Sequence, residues 1–251
     1  MIHVVLPAYN EEAGLTRLLP AITTALDAAR EPHRIVVVDD GSDDATADVA
    51  ARHAGSTQVV KHPTNQGLGR TLRDGLAAAL RDARDDDIIV TLDADDSHDP
   101  AIIPAMARSL RAGHDVVVAS RFRPGSATHG LGLLRTTTSW GASLLMRATL
   151  PTPGVRDFTC GFRAYRASML RRVIERNPDR FERLNGFECM VDLLMQLREA
   201  NARFAEVPMI LRYDRKQSAS RMRVWRTIGR TLALIAAERR RIGGRRRGPL
   251  A

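Results

Sequence analysis

Asp93 and Asp95 stand two residues apart in Thr91-Leu92-Asp93-Ala94-Asp95-Asp96-Ser97-His98-Asp99-Pro100. In extended chain, residues at that spacing point the same way. Two converging carboxylates present hard oxygen ligands, which suit a divalent cation and, through it, a diphosphate. A solvated acidic turn is the plainer reading of the same residues. Three other polar clusters favour the chemistry. In Pro7-Ala8-Tyr9-Asn10-Glu11-Glu12, Tyr9 offers a ring to stack on a base and Glu11 offers acceptors to base or ribose; Asn10 would equally serve as a helix cap. In Val38-Asp39-Asp40-Gly41-Ser42-Asp43-Asp44 a carboxylate could take a base edge or ribose hydroxyls. Asn65-Gln66-Gly67-Leu68-Gly69-Arg70 places Gly67 and Gly69 before a helix, without the spacing of either common phosphate-cradling glycine loop.

The elements that would position these clusters follow from apolar periodicity. Strands are expected at 2–6, 34–39, 57–61, 87–92 and 115–119, with helices near 11–30, 44–54, 66–84 and 100–112. That alternation predicts an α/β fold: a mostly parallel sheet flanked by helices, with right-handed crossovers. Ligands in such sheets sit beyond the carboxyl ends of the strands, so the clusters should share one rim. Further on, 123–135 reads as a mobile loop, 136–149 as a helix, and 157–166 as a short strand pair around Cys160-Gly161. Helices near 167–176 and 186–201 follow, then an extended pair at 204–208 and 209–213.

At 251 residues the chain suffices for one sizeable domain with an appendage. Of 38 basic and 29 acidic residues, ten arginines and one glutamate fall in 221–251, so the net charge of +9 belongs to the tail. Residues 1–220 are electrically balanced, which argues against a nucleic-acid surface on the fold itself. Cys160 and Cys189 match no metal or redox spacing and read as buried thiols in a reducing compartment. No N-terminal signal pattern and no apolar run long enough to span a bilayer is present, so a cytoplasmic protein is expected.

In this order and at these intervals, PAYNEE, VVDDGSDD, NQGLG and LDADDSHDP resemble glycosyltransferase family 2, whose fold is the Rossmann-like GT-A fold. The resemblance implies a nucleotide-sugar donor, with Pro7, Tyr9, Glu11, Val38, Asp39, Asp40 and Gly67 on the nucleotide side. It implies Mg or Mn held by Asp93 and Asp95, and Ser97 stands where some members place a third metal ligand. Ser120-Arg121-Phe122, Arg135 with Ser139, Asp157-Phe158-Thr159-Cys160-Gly161-Phe162-Arg163-Ala164-Tyr165-Arg166 and Gly186-Phe187-Glu188 resemble polyprenyl-phosphate glycosyltransferases, dolichol-phosphate mannose synthases above all. That likeness implies an inverting transfer of a hexose from a GDP-mannose or UDP-glucose type donor to polyprenyl phosphate. Arg121, Arg135, Ser139 and Arg215 would then gather the phosphate charge. Arg215-Lys216-Gln217-Ser218-Ala219-Ser220-Arg221 resembles a family R-x-x-G-x-S-K element, with Ser218 in place of the glycine and Arg221 in place of the lysine. Arg163 and Arg166 fit either a site role or internal ion pairs.

The GT-A domain is expected over 1–220. The remainder, 221–251, reads as a basic amphipathic helix, with Trp225, Ile228, Leu232 and Ile235 at helical spacing, and an arginine-rich end. Such a helix suits peripheral docking on an anionic inner membrane face, or packing on the domain. Two other functions remain open to the sequence. One is transfer to a glycan or small-molecule hydroxyl, with Glu188 or Asp157 as base; the other is a non-catalytic nucleotide-sugar-binding protein with a basic tail.

Overall fold

The computed structural model describes residues 1–53, 55, 57–130, 141, 143–178, 180, 186, 188–216, 229, 233, 235 and 236. The alternating rhythm is realised as β1 (Ile2–Ala8), α1 (Glu12–Ala28), β2 (His33–Asp39), α2 (Thr46–Arg52), β3 (Thr57–Lys61), α3 (Leu68–Asp82) and β4 (Ile88–Thr91). A 3-10 turn at Pro100–Ile102 then leads into α4 (Ile103–Arg111) and β5 (Val116–Ser120). Later come β6 (Ala127–His129), β7 (Arg163–Arg166), α5 (Ala167–Arg176), α6 (Glu188–Glu199), β8 (Phe204–Pro208) and β9 (Ile210–Arg212). Residues 143–149 are helical.

The main sheet has seven strands in the order β3-β2-β1-β4-β7-β5-β8. β1 runs parallel to both β2 and β4 at the centre. Successive residues Val4, Val5 and Leu6, or Val36, Val37 and Val38, are all fully buried. Because neighbours on a strand face opposite ways, both faces must be covered, as an α/β sheet requires. Cys160 and Cys189 are free and buried, as expected.

Four expectations need correction. The stretch 157–166 forms one strand, not a pair: β7 inserts antiparallel between β4 and β5, while the side chain of Asp157 gathers N–H groups from Arg121, Thr159 and Cys160. The segments 204–208 and 209–213 do not pair with each other. β8 extends β5 in parallel as far as Pro208, which has no N–H to continue the ladder. Met209 then turns inward, and β9 pairs with β6 in a separate two-stranded sheet. That pairing also orders 127–129, within the stretch read as a mobile loop. Finally, the N-cap of α1 is Glu11, not Asn10. Asn10 sits at φ 54 and its side chain instead accepts the Asp43 N–H at 2.8 Å.

Close approach sets where the helices lie. A Cβ on Gly14 of α1 would fall 2.3 Å from the Ala94 carbonyl oxygen, so this glycine lets the helix rest directly on the loop carrying Asp93 and Asp95. Gly14→Ala is expected to destabilise the protein by about 2 kcal/mol despite alanine's better helix propensity, because the clash is with backbone. Gly141→Ala, where a Cβ meets nothing within 4 Å, should leave stability unchanged or raise it. Urea unfolding of both variants checks the contrast.

Candidate active site

Parallel strands of one sheet deliver their carboxyl ends to the same edge, and the polar clusters meet there. Asp39 ends β2 and Asp40 follows it, both buried. Asp40 is fully engaged: its Oδ1 faces His62 Nδ1 at 2.7 Å and accepts the Gln66 N–H at 2.9 Å, while Oδ2 accepts the Gly67 N–H at 2.8 Å. Gly67 sits at φ 88, a conformation open to glycine, and starts α3. Asp40 therefore shapes the turn of the Asn65-to-Gly69 cluster. Asp39 accepts the Ser42 N–H on Oδ1 at 3.0 Å, and its buried Oδ2 has no partner among the described residues. A buried, unpaired acceptor at the rim is costly unless something donates to it. Tyr9 and Glu11 are half-buried at the end of β1. The Val38 side chain lies under α3, where a Cβ on Gly75 would come within 2.9 Å of it, so it faces the core and not the rim.

The loop after β4 holds the paired acids. Thr91 Oγ1 donates to the Gly161 carbonyl at 2.8 Å, fastening that loop to the chain before β7. The fit at Gly161 is close: a Cβ would stand 3.2 Å from Asp93 Oδ1, so the carboxylate would have to give way by a few tenths of an ångström. Asp93 lines a narrow crevice with Pro7, Leu68, Leu72, Gly161 and Met190. Its N–H points to His98 Nδ1 at 3.4 Å, and the His98 ring stacks at a tilt on Phe162. Burial, opposed by His98 and reinforced by Asp95, raises the Asp93 carboxyl above its ordinary value. Asp95 goes the other way. Burial opposes its charge, but Lys216 and Ser97 outweigh burial and hold the carboxyl low. Its Oδ1 accepts the Ser97 N–H at 3.1 Å and the Ser97 hydroxyl at 2.5 Å; its Oδ2 accepts Lys216 Nζ at 2.5 Å.

These donors fit a hard dication. Asp93 and Asp95 supply carboxylate oxygens, Asp93 lines the crevice, and a dication would relieve the penalty that raises its carboxyl. No group of three or more His, Cys, Asp or Glu suited to a metal occurs among the described residues, so water or phosphate oxygens would complete the shell. Ser97, expected as a third ligand, gives its hydroxyl hydrogen to Asp95 and so orients that carboxylate. Asp96 sits at φ 61 and turns away to accept Arg17 Nε at 2.9 Å.

On the opposite side of the rim, Arg121 forks onto Asp157, with Nε donating to Oδ2 at 2.8 Å and Nη2 to Oδ1 at 2.7 Å; Nη2 also donates to Thr159 Oγ1 at 2.6 Å. Asp157 further accepts the N–H groups of Arg121, Thr159 and Cys160. Burial disfavours ionising either partner, yet their mutual attraction prevails: Arg121 is pushed up and Asp157 down, and the Arg121 charge reaches Asp93. Arg163 is wholly buried, donating to the carbonyls of Met190 at 2.5 Å and Phe158 at 2.7 Å. Arg166 donates to the Leu110 carbonyl at 2.7 Å. Both serve the fold, and the partners are mainly carbonyls.

The structure thus brings Asp39, Asp93, Asp95, Ser97 and Arg121 to one rim. Arg215 is exposed and contributes its carbonyl, which accepts Arg17 Nη2 at 3.2 Å; the cation placed on the acids is its neighbour Lys216. Arg135, Ser139 and Arg221 lie outside the described residues. Sequence reading missed Arg17 and His62, which carry no motif, and Lys216, which falls at a variable position of the Arg215-to-Arg221 element and so drew no role of its own.

A family model described as glycosyl transferase family 2 matches residues 3–174. The undecaprenyl-phosphate mannosyltransferase of Micrococcus luteus is 32% identical over 88% of this chain and 87% of its own length. The polyprenol monophosphomannose synthase of Mycolicibacterium smegmatis is 29% identical over 87% of this chain and 80% of its own. Among solved structures, glucosyl-3-phosphoglycerate synthase from Mycobacterium tuberculosis, in complex with Mn2+, UDP and glucosyl-3-phosphoglycerate, superposes with a TM-score of 0.62 at 25% identity. That match covers 94% of this chain and 77% of the other.

The Asp157–Arg121 pair makes a pH prediction. A carboxyl depressed in the folded state adds stability that is present above its unfolded pKa of about 4 and is lost as pH falls through the folded value. Asp157→Asn strands a largely buried guanidinium and is expected to cost about 3 kcal/mol at pH 7. In urea unfolding across pH, the gap to wild type should close below about pH 4.

Proposed function

The chain belongs to glycosyl transferase family 2, and from that premise we propose that it moves a hexose from a nucleotide sugar to the phosphate of a polyprenyl phosphate, with inversion. The named activities of the Micrococcus and Mycolicibacterium relatives support this acceptor. The observation that carries it is the state of Asp157. An alcohol acceptor needs a general base, and this acid has both oxygens consumed by Arg121 and backbone N–H groups. Glu188, the other acid considered, is buried in the first turn of α6. A phosphate monoester has its second pKa near ~6 and is already largely a dianion at neutral pH. It needs cations to approach a diphosphate, not a base.

In this reading a phosphate oxygen attacks the anomeric carbon while the bond from that carbon to the diphosphate breaks, its electron pair leaving with the diphosphate. Asp39, with its unpaired Oδ2, and the ring of Tyr9 hold the nucleoside. Asp93 and Asp95 hold Mg or Mn, whose chemistry when bound is to neutralise charge on the departing diphosphate. Arg121 keeps the site cationic on the acceptor side, joined through the family resemblance by Arg135, Ser139 and Arg215.

A prenyl chain lives in a membrane, so the enzyme must reach one. No helix among the described residues is long and apolar enough to cross a bilayer. Of the apolar stripe in the tail, Ile235 is the described member, and it is buried in the hydrophobic core. The membrane reading therefore rests on the arginines of 221–251, which would attract the anionic inner leaflet at ~1 kcal/mol per charge near the surface. On this reading the catalytic domain spans 1–220 and the tail docks it peripherally.

Incubation with labelled GDP-mannose or UDP-glucose, polyprenyl phosphate and Mg should give lipid-soluble label with one donor. Transfer to a soluble acceptor such as 3-phosphoglycerate, with none to lipid, would overturn the acceptor. Asp95→Asn should lower turnover by about a hundredfold or more.

A further inference from the structure

The segment from Leu211 in β9 to Lys216 does more than end the sheet. It crosses directly over the loop that carries the paired acids and is fastened there at successive residues. Leu211 bridges to His98, the Arg212 N–H donates to the Ser97 carbonyl at 2.8 Å, and the Arg215 carbonyl accepts Arg17 Nη2 at 3.2 Å. Arg17 in turn holds Asp96, so the strap and the acidic loop share a partner on α1. At the end of the strap, Lys216 Nζ reaches Asp95 Oδ2 at 2.5 Å and lies 5.9 Å from the centre of the Tyr213 ring. The pair is well shielded: the Lys216 side chain is 15% exposed and that of Asp95 7%.

We propose that Lys216 is an internal competitor for the metal site: its ammonium holds the Asp95 oxygen that a divalent cation would take, and so sets the affinity of the protein for that cation. The inference rests on the reading of Asp93 and Asp95 as metal ligands. A carboxylate offers about four lone-pair sites. On Asp95, Ser97 takes two of them on Oδ1 and Lys216 takes one on Oδ2. A cation with oxygen ligands at ~2.1 Å would put a double positive charge beside the ammonium. Either charge satisfies the carboxylate; both together repel. Loading the metal therefore sets the dication against the ammonium for Asp95 Oδ2 and favours a shift of Lys216 away from it. No other described cation reaches Asp95 by hydrogen bond, since Arg17 is turned to Asp96 and Arg121 to Asp157.

The test is Mn2+ affinity of the full-length protein without nucleotide, read from the electron paramagnetic resonance signal of free Mn2+. Lys216→Met should tighten binding roughly tenfold, the size expected on removing one charge-assisted hydrogen bond. Lys216→Arg keeps the charge and should bind within about twofold of wild type. Thermal unfolding of each variant establishes that it is folded. Wild type that binds Mn2+, with Lys216→Met equal to it or weaker, would overturn the competition while leaving the metal site standing. Weaker binding would mean that Lys216 organises the site. Wild type that binds no Mn2+, or binds it undiminished after Asp95→Asn, would remove the metal site and the inference with it.

Discussion

Several carboxylates brought to one edge of a sheet, beyond the reach of bulk water, repel one another, and each has to be answered locally. This constraint organises the rim. Asp40 is answered by two backbone N–H groups and His62, Asp96 by Arg17, Asp157 by Arg121, and Asp95 by Ser97 and Lys216. Two acids are left short. Asp39 keeps a buried oxygen without a partner among the described residues, and Asp93 is held above its usual pKa. Those shortfalls mark where a ligand's donors and a ligand's cation would be most strongly felt, because a low dielectric amplifies both the penalty and its relief.

The means of compensation differ along the rim. At the end of β2, backbone N–H groups hold the carboxylates: Ser42 on Asp39, and Gln66 and Gly67 on Asp40. Across from it, compensation comes from a long guanidinium whose fork is spent on Asp157 but whose charge still acts on Asp93. Arg121 is thus the counter-ion that lets Asp157 stay charged in the interior. Removing a base and adding a cation are one event in this pair, since the same two hydrogen bonds accomplish both.

The fold was legible where the chain obeys period and punctuation. β-branched runs such as Ile35-Val36-Val37-Val38 and Ile88-Ile89-Val90 became central strands, and Pro100 opened the turn into α4. Legibility failed where a partner distant in sequence decides the conformation. β7 enters the sheet antiparallel between β4 and β5, and β8 joins β5 while β9 joins β6. Nothing local in Phe204 to Tyr213 distinguishes those partners from a hairpin. At the site, the residues named by motif do converge, Asp39, Asp93, Asp95 and Arg121 among them. Which acid is spent on structure and which is spare could not be read, because Asp39 and Asp40 are the same residue type side by side. Their difference comes from the Gln66 and Gly67 N–H groups arriving from another loop.

The strap from Leu211 to Lys216 shows how a weak sequence signal becomes a strong structural one. β6 and β9 form only a three-residue parallel pair, too short to be stable alone. The pair is held because Ala127 donates to the Met209 carbonyl at one end, and Gly130 packs against the Asp214 backbone at the other, where a Cβ would fall 2.5 Å from its nitrogen. With both ends pinned, the chain between the loop after β5 and the loop after β4 has little freedom. Arg121 leaves from β5, and Asp93 and Asp95 leave from β4. A small sheet stitched across them joins the chain that carries Arg121 to the loop that carries the paired acids.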